Sequence, residues 1–261
     1  MPAYEILTGS AASPVVLHVP HSSSTIRDDV RARILLDDDA LRDELRAMTD
    51  AFTDVIALHA AEAAPVRPWV FVNRASRLVV DPERFTDPEQ EEMEAVGMGA
   101  VYTATSQRQP LREPDDAHRA ALLDEYFHPY ATALADLVDE RLEACGRAVI
   151  IDVHSYPAQT LPYELHVSDL RPPVCLGTDE AHTPAALIDA ARTAFSAWPL
   201  ETDQPFRGTY VPLRHYGTDP RVQSLMVEIR RDQYVAADGT PEPAAVVQLG
   251  AAIAALVAAV G

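Results

Sequence analysis

Short apolar runs rich in Val and Ile alternate along this chain with longer stretches in which apolar side chains return every three or four residues. A continuous apolar run suits a strand buried on both faces, whereas the second spacing turns one side of a helix toward a core. Four runs read as strands: VVLHV ending near Val19, PWVFV ending near Val72, AVIIDV ending near Val153 and SLMVEI ending near Ile229. Between the first two, Leu41, Leu45, Met48, Phe52, Val55, Ile56 and His59 recur at helical spacing behind a run of acids, so one helix is expected there. A second is expected from about Asp115 to Cys145, stopped by Gly146, and a third from an N-cap at Thr183 with Pro184 in the first helical position. This alternation predicts an α/β fold, a single domain over residues 1–261 with a mostly parallel mixed sheet flanked by helices.

Three stretches lack either period: 74–114, which is acidic and dotted with Pro and Gly, 156–174, and 205–219. Irregular segments this long in a compact domain usually cover or bind something, and these lie near strand ends, where open α/β sheets take ligands. The last run, AAVVQLGAAIAALVAAVG, approaches the length of a membrane span. It is rich in Ala, holds Gln248 and lacks aromatic or basic anchors, so a helix packed on the sheet is expected instead. The N-terminus shows no signal-peptide pattern, which makes a cytoplasmic enzyme the expectation.

Charge narrows the partners. Forty acidic residues against 21 basic ones give a formal net charge of -19, a field that repels nucleic acid and anionic membrane surfaces. An anionic small-molecule substrate fits only where a local arginine cluster overcomes that field. Every basic residue is Arg, so Schiff-base chemistry, lysine-activated nucleophiles and a Walker lysine are excluded. Cys145 and Cys175 stand apart from each other and from any CxxC spacing, and are expected as inert thiols.

Three of the four strands deliver a catalytic side chain at or just beyond their carboxyl ends: His21, His154 and Glu228. Two histidines and one carboxylate around an open position form a common catalytic zinc shell. For the ligand carboxylate, Asp50 and Asp54 lie four residues apart on one face of the expected first helix, and Asp50 is favoured. The plainer alternative makes each histidine a turn residue or hydrogen-bond partner and each Asp part of a solvated helix face. Glu228 resists that alternative, since a carboxylate in an apolar strand needs a cationic partner or a function, and Arg230 or Arg231 is the expected partner. Asp152 is assigned to the strand face opposite His154, from which only a loop would bring it back.

The segments IDVHSYP and LMVEIRR resemble the zinc carboxypeptidase pattern of a second metal histidine and a late general-base acid, although Ser24 stands where that pattern has its ligand glutamate. A closer similarity is to the N-formylglutamate amidohydrolase family, through HVPHSSS, MTDAFTD, SRLVVDPERF, GMGAVYT, DVHSYP, PYELH, CLGTDEAHTP, RGTYVPLRHYG and MVEIRRDQY in that order. The resemblance implies zinc-dependent hydrolysis of an N-acyl amino acid, typically formylglutamate giving formate and glutamate as in histidine degradation. His21, Asp50 and His154 would hold the metal and Glu228 would act as general base. Arg77 is the first candidate for a substrate carboxylate, ahead of Arg74, Arg214 and Arg230, because guanidinium binds carboxylate bidentately. The alternative for Arg77 and Arg84 is loop-stiffening pairing with Asp81 and Glu83. Ser22, and Thr209 and Tyr216 in the GTY and HYG segments, are candidate substrate or oxyanion donors. Rival readings are another metal-dependent amidohydrolase, a carboxypeptidase, or a ligand-binding protein without turnover.

Overall fold

The computed structural model describes residues 3–261. Its strands are β1 (Tyr4–Leu7), β2 (Val15–Val19), β3 (Trp69–Asn73), β4 (Ala148–Tyr156), β5 (Val174–Gly177), β6 (Leu200–Thr202) and β7 (Val222–Arg230). Its helices are α1 (Asp28–Arg31), α2 (Asp38–Met48), α3 (Thr53–Ala63), α4 (Asp116–Leu122), α5 (His128–Cys145), α6 (Ala185–Ala194) and α7 (Pro243–Val260). The strands form one sheet in the order β1-β3-β2-β4-β7-β5-β6. Strands β3, β2, β4 and β7 run parallel, β1 pairs antiparallel with β3, and β5 pairs antiparallel with β7. The expected α/β architecture is present, with β1, β5 and β6 added to the four strands read from the sequence.

The two faces of the sheet have different fates. Odd-numbered positions such as Leu17, Val19, Ile151, Val153, Val227 and Ile229 pack with Ile56 and Ala60 of α3 and with Leu249 and Ile253 of α7. Even-numbered positions of β2 and β4, with Phe71 of β3, begin apolar: Val16 and Phe71 lie against Tyr130 and Leu134 of α5, and Ile150 against Val138 and Leu142. Toward the carboxyl ends that second face turns polar, through His18 in β2, Asp152 and His154 in β4, and Ser224 and Glu228 in β7. The same alternation that fills the core therefore lines up a row of titratable side chains at one sheet edge.

Two helices depart from the expected outlines. The first is broken: α2 ends at Met48, residues 49–52 form a turn with Phe52 in the left-handed region at φ 64°, and α3 starts anew at Thr53. The second runs through a π-turn at Leu123–Phe127 that joins α4 to α5 and ends at Gly146 with φ 74°. Helix α6 starts at Ala185 with Pro184 as its cap, one residue later than expected. Helix α7 is long and apolar enough to cross a membrane by length and composition, yet Val246, Leu249, Ile253, Leu256 and Val257 pack one face into the core. Gly250 permits a close crossing there, since a Cβ at this position would stand 2.7 Å from the His59 Cβ.

Candidate metal centre

Strands β2, β4 and β7 are neighbours, so their carboxyl ends bring far-separated residues to one place. His21 lies two residues beyond β2, while His154 and Glu228 occupy matched register positions two residues before the ends of β4 and β7. The break between α2 and α3 supplies the fourth group. In the turn, the Asp50 backbone N–H donates to the His21 carbonyl at 2.9 Å, and the carboxylate turns inward. Asp54, inside α3, faces away and receives Arg74 Nη1 at 3.2 Å. A helix running unbroken through residue 50 would have left the two Asp on one face, as expected above, and the turn separates them.

His21 Nδ1 and His154 Nδ1 stand 3.3 Å apart, with Asp50 Oδ2 at 3.2 Å from His154 and 3.7 Å from His21. All three side chains are buried. The far side of each ring faces carboxylates: His21 Nε2 donates to Asp81 Oδ1 at 2.9 Å, and His154 Nε2 lies 3.0 Å from Asp152 Oδ1 and 3.3 Å from Glu83 Oε2. The Asp152 contact is off the line of a hydrogen bond, but both acids favour the ring proton on that side. In the neutral rings each Nδ1 is then a lone pair, and two lone pairs facing each other beside a carboxylate repel unless a proton or a metal cation lies among them. Nitrogen and oxygen donors from two histidines and one acid, backed by carboxylates behind the rings, fit a divalent metal ion.

The protonation tendencies describe the same demand for positive charge. Burial and the Arg77 guanidinium oppose charge on His21, yet Asp81 and Asp50 prevail and raise its pKa. Burial likewise opposes charge on His154, and Asp152 and Glu83 outweigh it to hold the ring well above its ordinary value. Burial would raise Asp50, but hydrogen bonding from both imidazoles holds it below the usual carboxylate range. Two neighbouring trios, His18/Glu83/Asp152 and His21/Asp81/Glu83, also gather ligand atoms. In those a proton already bridges the donors, His18 Nδ1 to Asp152 at 2.8 Å and His21 Nε2 to Asp81, so neither calls for an ion.

Glu228 is buried, and its Oε2 has no hydrogen-bond partner. Burial pushes its pKa up to about 8, with His154 pulling the other way. Neither expected arginine partners it. Arg230 donates to Asp232 Oδ1 at 2.8 Å, and Arg231 clamps the end of α2 through the carbonyls of Arg46 and Ala47 at 3.0 Å, with its Nη2 3.7 Å from Asp50 Oδ1. Glu228 is thus a buried acid without an arginine partner beside His154, the arrangement in which catalytic carboxylates are commonly found.

A family profile described as N-formylglutamate amidohydrolase matches residues 13–235. The chain belongs to that family. The fold is shared with an N-formylglutamate amidohydrolase from Ralstonia eutropha JMP134, at a TM-score of 0.83 and 19% identity over 100% of this chain and 97% of that one. It is shared as well with a gene product from Agrobacterium tumefaciens, at a TM-score of 0.72 and 20% identity over 100% and 95% of the two chains. No curated protein matches.

The remaining candidates distribute unevenly around the centre. Arg77 stands beside the centre with its fork engaged, Nε to the Tyr102 hydroxyl at 3.0 Å and Nη2 to Asp81 Oδ2 at 2.7 Å. Ser22, next to His21, has a buried hydroxyl without a partner. Thr209 shares a 2.7 Å hydrogen bond with Ser224, while Tyr216 reaches Asp179 at 3.2 Å and stacks on His182. Among the described residues, Tyr216 and Arg230 form no hydrogen bond or ion pair with His21, Asp50 or His154.

Several residues beside the centre went unread in the sequence: His18, Tyr102 and Tyr130 had no role there, and Asp81 and Glu83 were read only as pairing partners of Arg77 and Arg84, a pairing present between Arg77 and Asp81. His18 donates to Asp152 and meets the Tyr130 hydroxyl on its other nitrogen, and Tyr102 closes on Asp81 beside Arg77. The assignment of Asp152 to the face opposite His154 fails, because residues two apart in a strand share a face. Alternate positions of β2 and β4 turning from Val and Ile to His and Asp were the available signal.

Proposed function

We propose that this chain hydrolyses the amide bond of an N-acyl amino acid, N-formylglutamate or a compound of the same class, with zinc held by His21 Nδ1, His154 Nδ1 and Asp50. The observation that carries the reading is the meeting of two imidazole Nδ1 atoms and a carboxylate beside a buried glutamate whose Oε2 has no partner. When bound, zinc would polarise the amide carbonyl and acidify water. Glu228 takes the proton of the attacking water and returns it to the leaving amine, and a pKa near neutrality suits both roles. Asp81 and the pair Asp152 and Glu83 hold the two rings in the tautomer that leaves Nδ1 free.

An anionic substrate needs a guanidinium with donors to spare. Arg77 keeps one nitrogen free of the Asp81 and Tyr102 bonds, and Arg84 Nε is buried without a partner, 3.9 Å from Asp81 and 4.0 Å from Glu91. These two arginines receive the substrate carboxylate, with Ser22 as a further donor beside His21. The test combines metal analysis with N-formyl, N-acetyl and N-succinyl amino acids as substrates. Glu228→Gln should keep the metal and lose turnover by at least about 100-fold, and His154→Ala should lose both. Undiminished hydrolysis by Glu228→Gln removes that residue from the mechanism. Bound zinc with no hydrolysis of any compound favours a ligand-binding protein.

A further inference from the structure

Away from the metal centre lies a second unbalanced charge. Arg112 is 3% exposed, its guanidinium donates to the Leu78 carbonyl, and its Nε and Nη1 have no partner. No acid among the described residues pairs with it. Burial pushes its pKa down only to about 10, so it remains a cation at neutral pH. A buried cation with unsatisfied donors is strongly unfavourable unless a counter-ion accompanies it.

A second orphan belongs to the same corner. His118 sits in the first turn of α4, its backbone N–H held by Asp115 Oδ1 at 3.0 Å, and its Nε2 is closed off from solvent without a partner. Asp115 reaches Arg33 at 3.4 Å, and Leu35 N–H donates to the Leu111 carbonyl at 2.8 Å, so the stretch just after α1 is tied to the 111–118 segment. Burial, then the guanidinium groups of Arg112 and Arg33, hold the His118 imidazole below its ordinary value, which leaves it a neutral donor.

We propose that Arg112 and His118 bind a small monovalent anion, a halide or a carboxylate group, at a site separate from the metal centre. One guanidinium and one neutral imidazole balance a single negative charge, whereas a doubly charged ion would leave an excess buried. The local cation outweighs the net charge of -19 at this point. Through the Leu78 carbonyl the anion would brace the loop that carries Arg77 and Asp81 behind His21.

The test is thermal unfolding at constant ionic strength, with sodium gluconate replaced stepwise by sodium bromide or by sodium formate. The wild-type Tm should rise and saturate, by about 5 °C at a hundredfold excess over Kd. Arg112→Met should show no saturating response and, in gluconate alone, should melt no lower than the wild type. Crystals of the wild-type protein soaked in bromide should show an anomalous peak beside Arg112, a readout independent of how the variant folds. Saturation by bromide assigns a halide site, and saturation by formate alone assigns a carboxylate site. Superimposable titrations of wild type and variant, or no peak and no saturation with either anion, would overturn the proposal.

Discussion

At the scale of single residues, the centre is a contest between burial and pairing. His21 and His154 are raised against the pull of desolvation, so in metal-free protein they hold protons that a metal must displace. Metal affinity should therefore fall as pH drops through the raised imidazole values, and calorimetry in buffers of different ionisation enthalpy should record more than one proton released per metal bound near pH 7. Zero net release would mean the rings are already neutral. The sign for stability follows. Without metal, the histidine contribution is present in full below the ordinary imidazole range and is lost as pH rises through the raised values. Asp50 and Asp81 behave oppositely, contributing above the ordinary carboxylate range and losing that contribution as pH falls through their lowered values. Asp81 also orients its ring, bonding His21 while Arg77 and Tyr102 fix it in turn. Asp81→Asn should weaken metal binding by about 10- to 100-fold in a chelator competition. Unchanged affinity would confine Asp81 to the loop.

At the scale of elements, what could be read was whatever obeys a period. The four core strands and the helix that ends at Gly146 follow from apolar spacing, and the sheet edge that collects His21, His154 and Glu228 follows from strands being parallel. The turn at residues 49–52 was not legible. MTDAF continues the helical spacing across it, and only a tertiary bond from the Asp50 N–H to His21, with Arg231 holding the end of α2, makes the break favourable. The choice of Asp50 over Asp54 rests on that turn rather than on the shared helix face from which it was first weighed. Strands β5 and β6 escaped notice because they are only four and three residues long. Close packing offers a test here as well. The approach of α7 to α3 at Gly250 leaves no room for a branched side chain, so Gly250→Val should lower stability by about 1–3 kcal/mol in urea unfolding. A variant as stable as the wild type would show that the two helices part without cost.

At the scale of the whole molecule, the centre joins segments that the chain keeps far apart: the end of β2, the turn before α3, loop 74–91, β4 and β7. A bound cation should therefore stabilise the fold as a unit. Stripping it with chelator should lower Tm by roughly 10 °C if it was present at a thousandfold excess over Kd, and zinc should restore it. A melting curve indifferent to chelator would place no ion at this position. Composition had already ruled out lysine chemistry and made polyanion binding unfavourable. It was silent on which arginines lie near the metal, because that depends on the path of an irregular loop. The division of labour between strands and loop has one more outcome. In the proposed reaction the metal-holding and proton-moving groups gather at the carboxyl edge of the sheet, while Arg77 and Arg84 ride on an aperiodic excursion beside it. Descendants of such a chain can acquire new clientele by rewriting that excursion alone, leaving the cutting apparatus untouched.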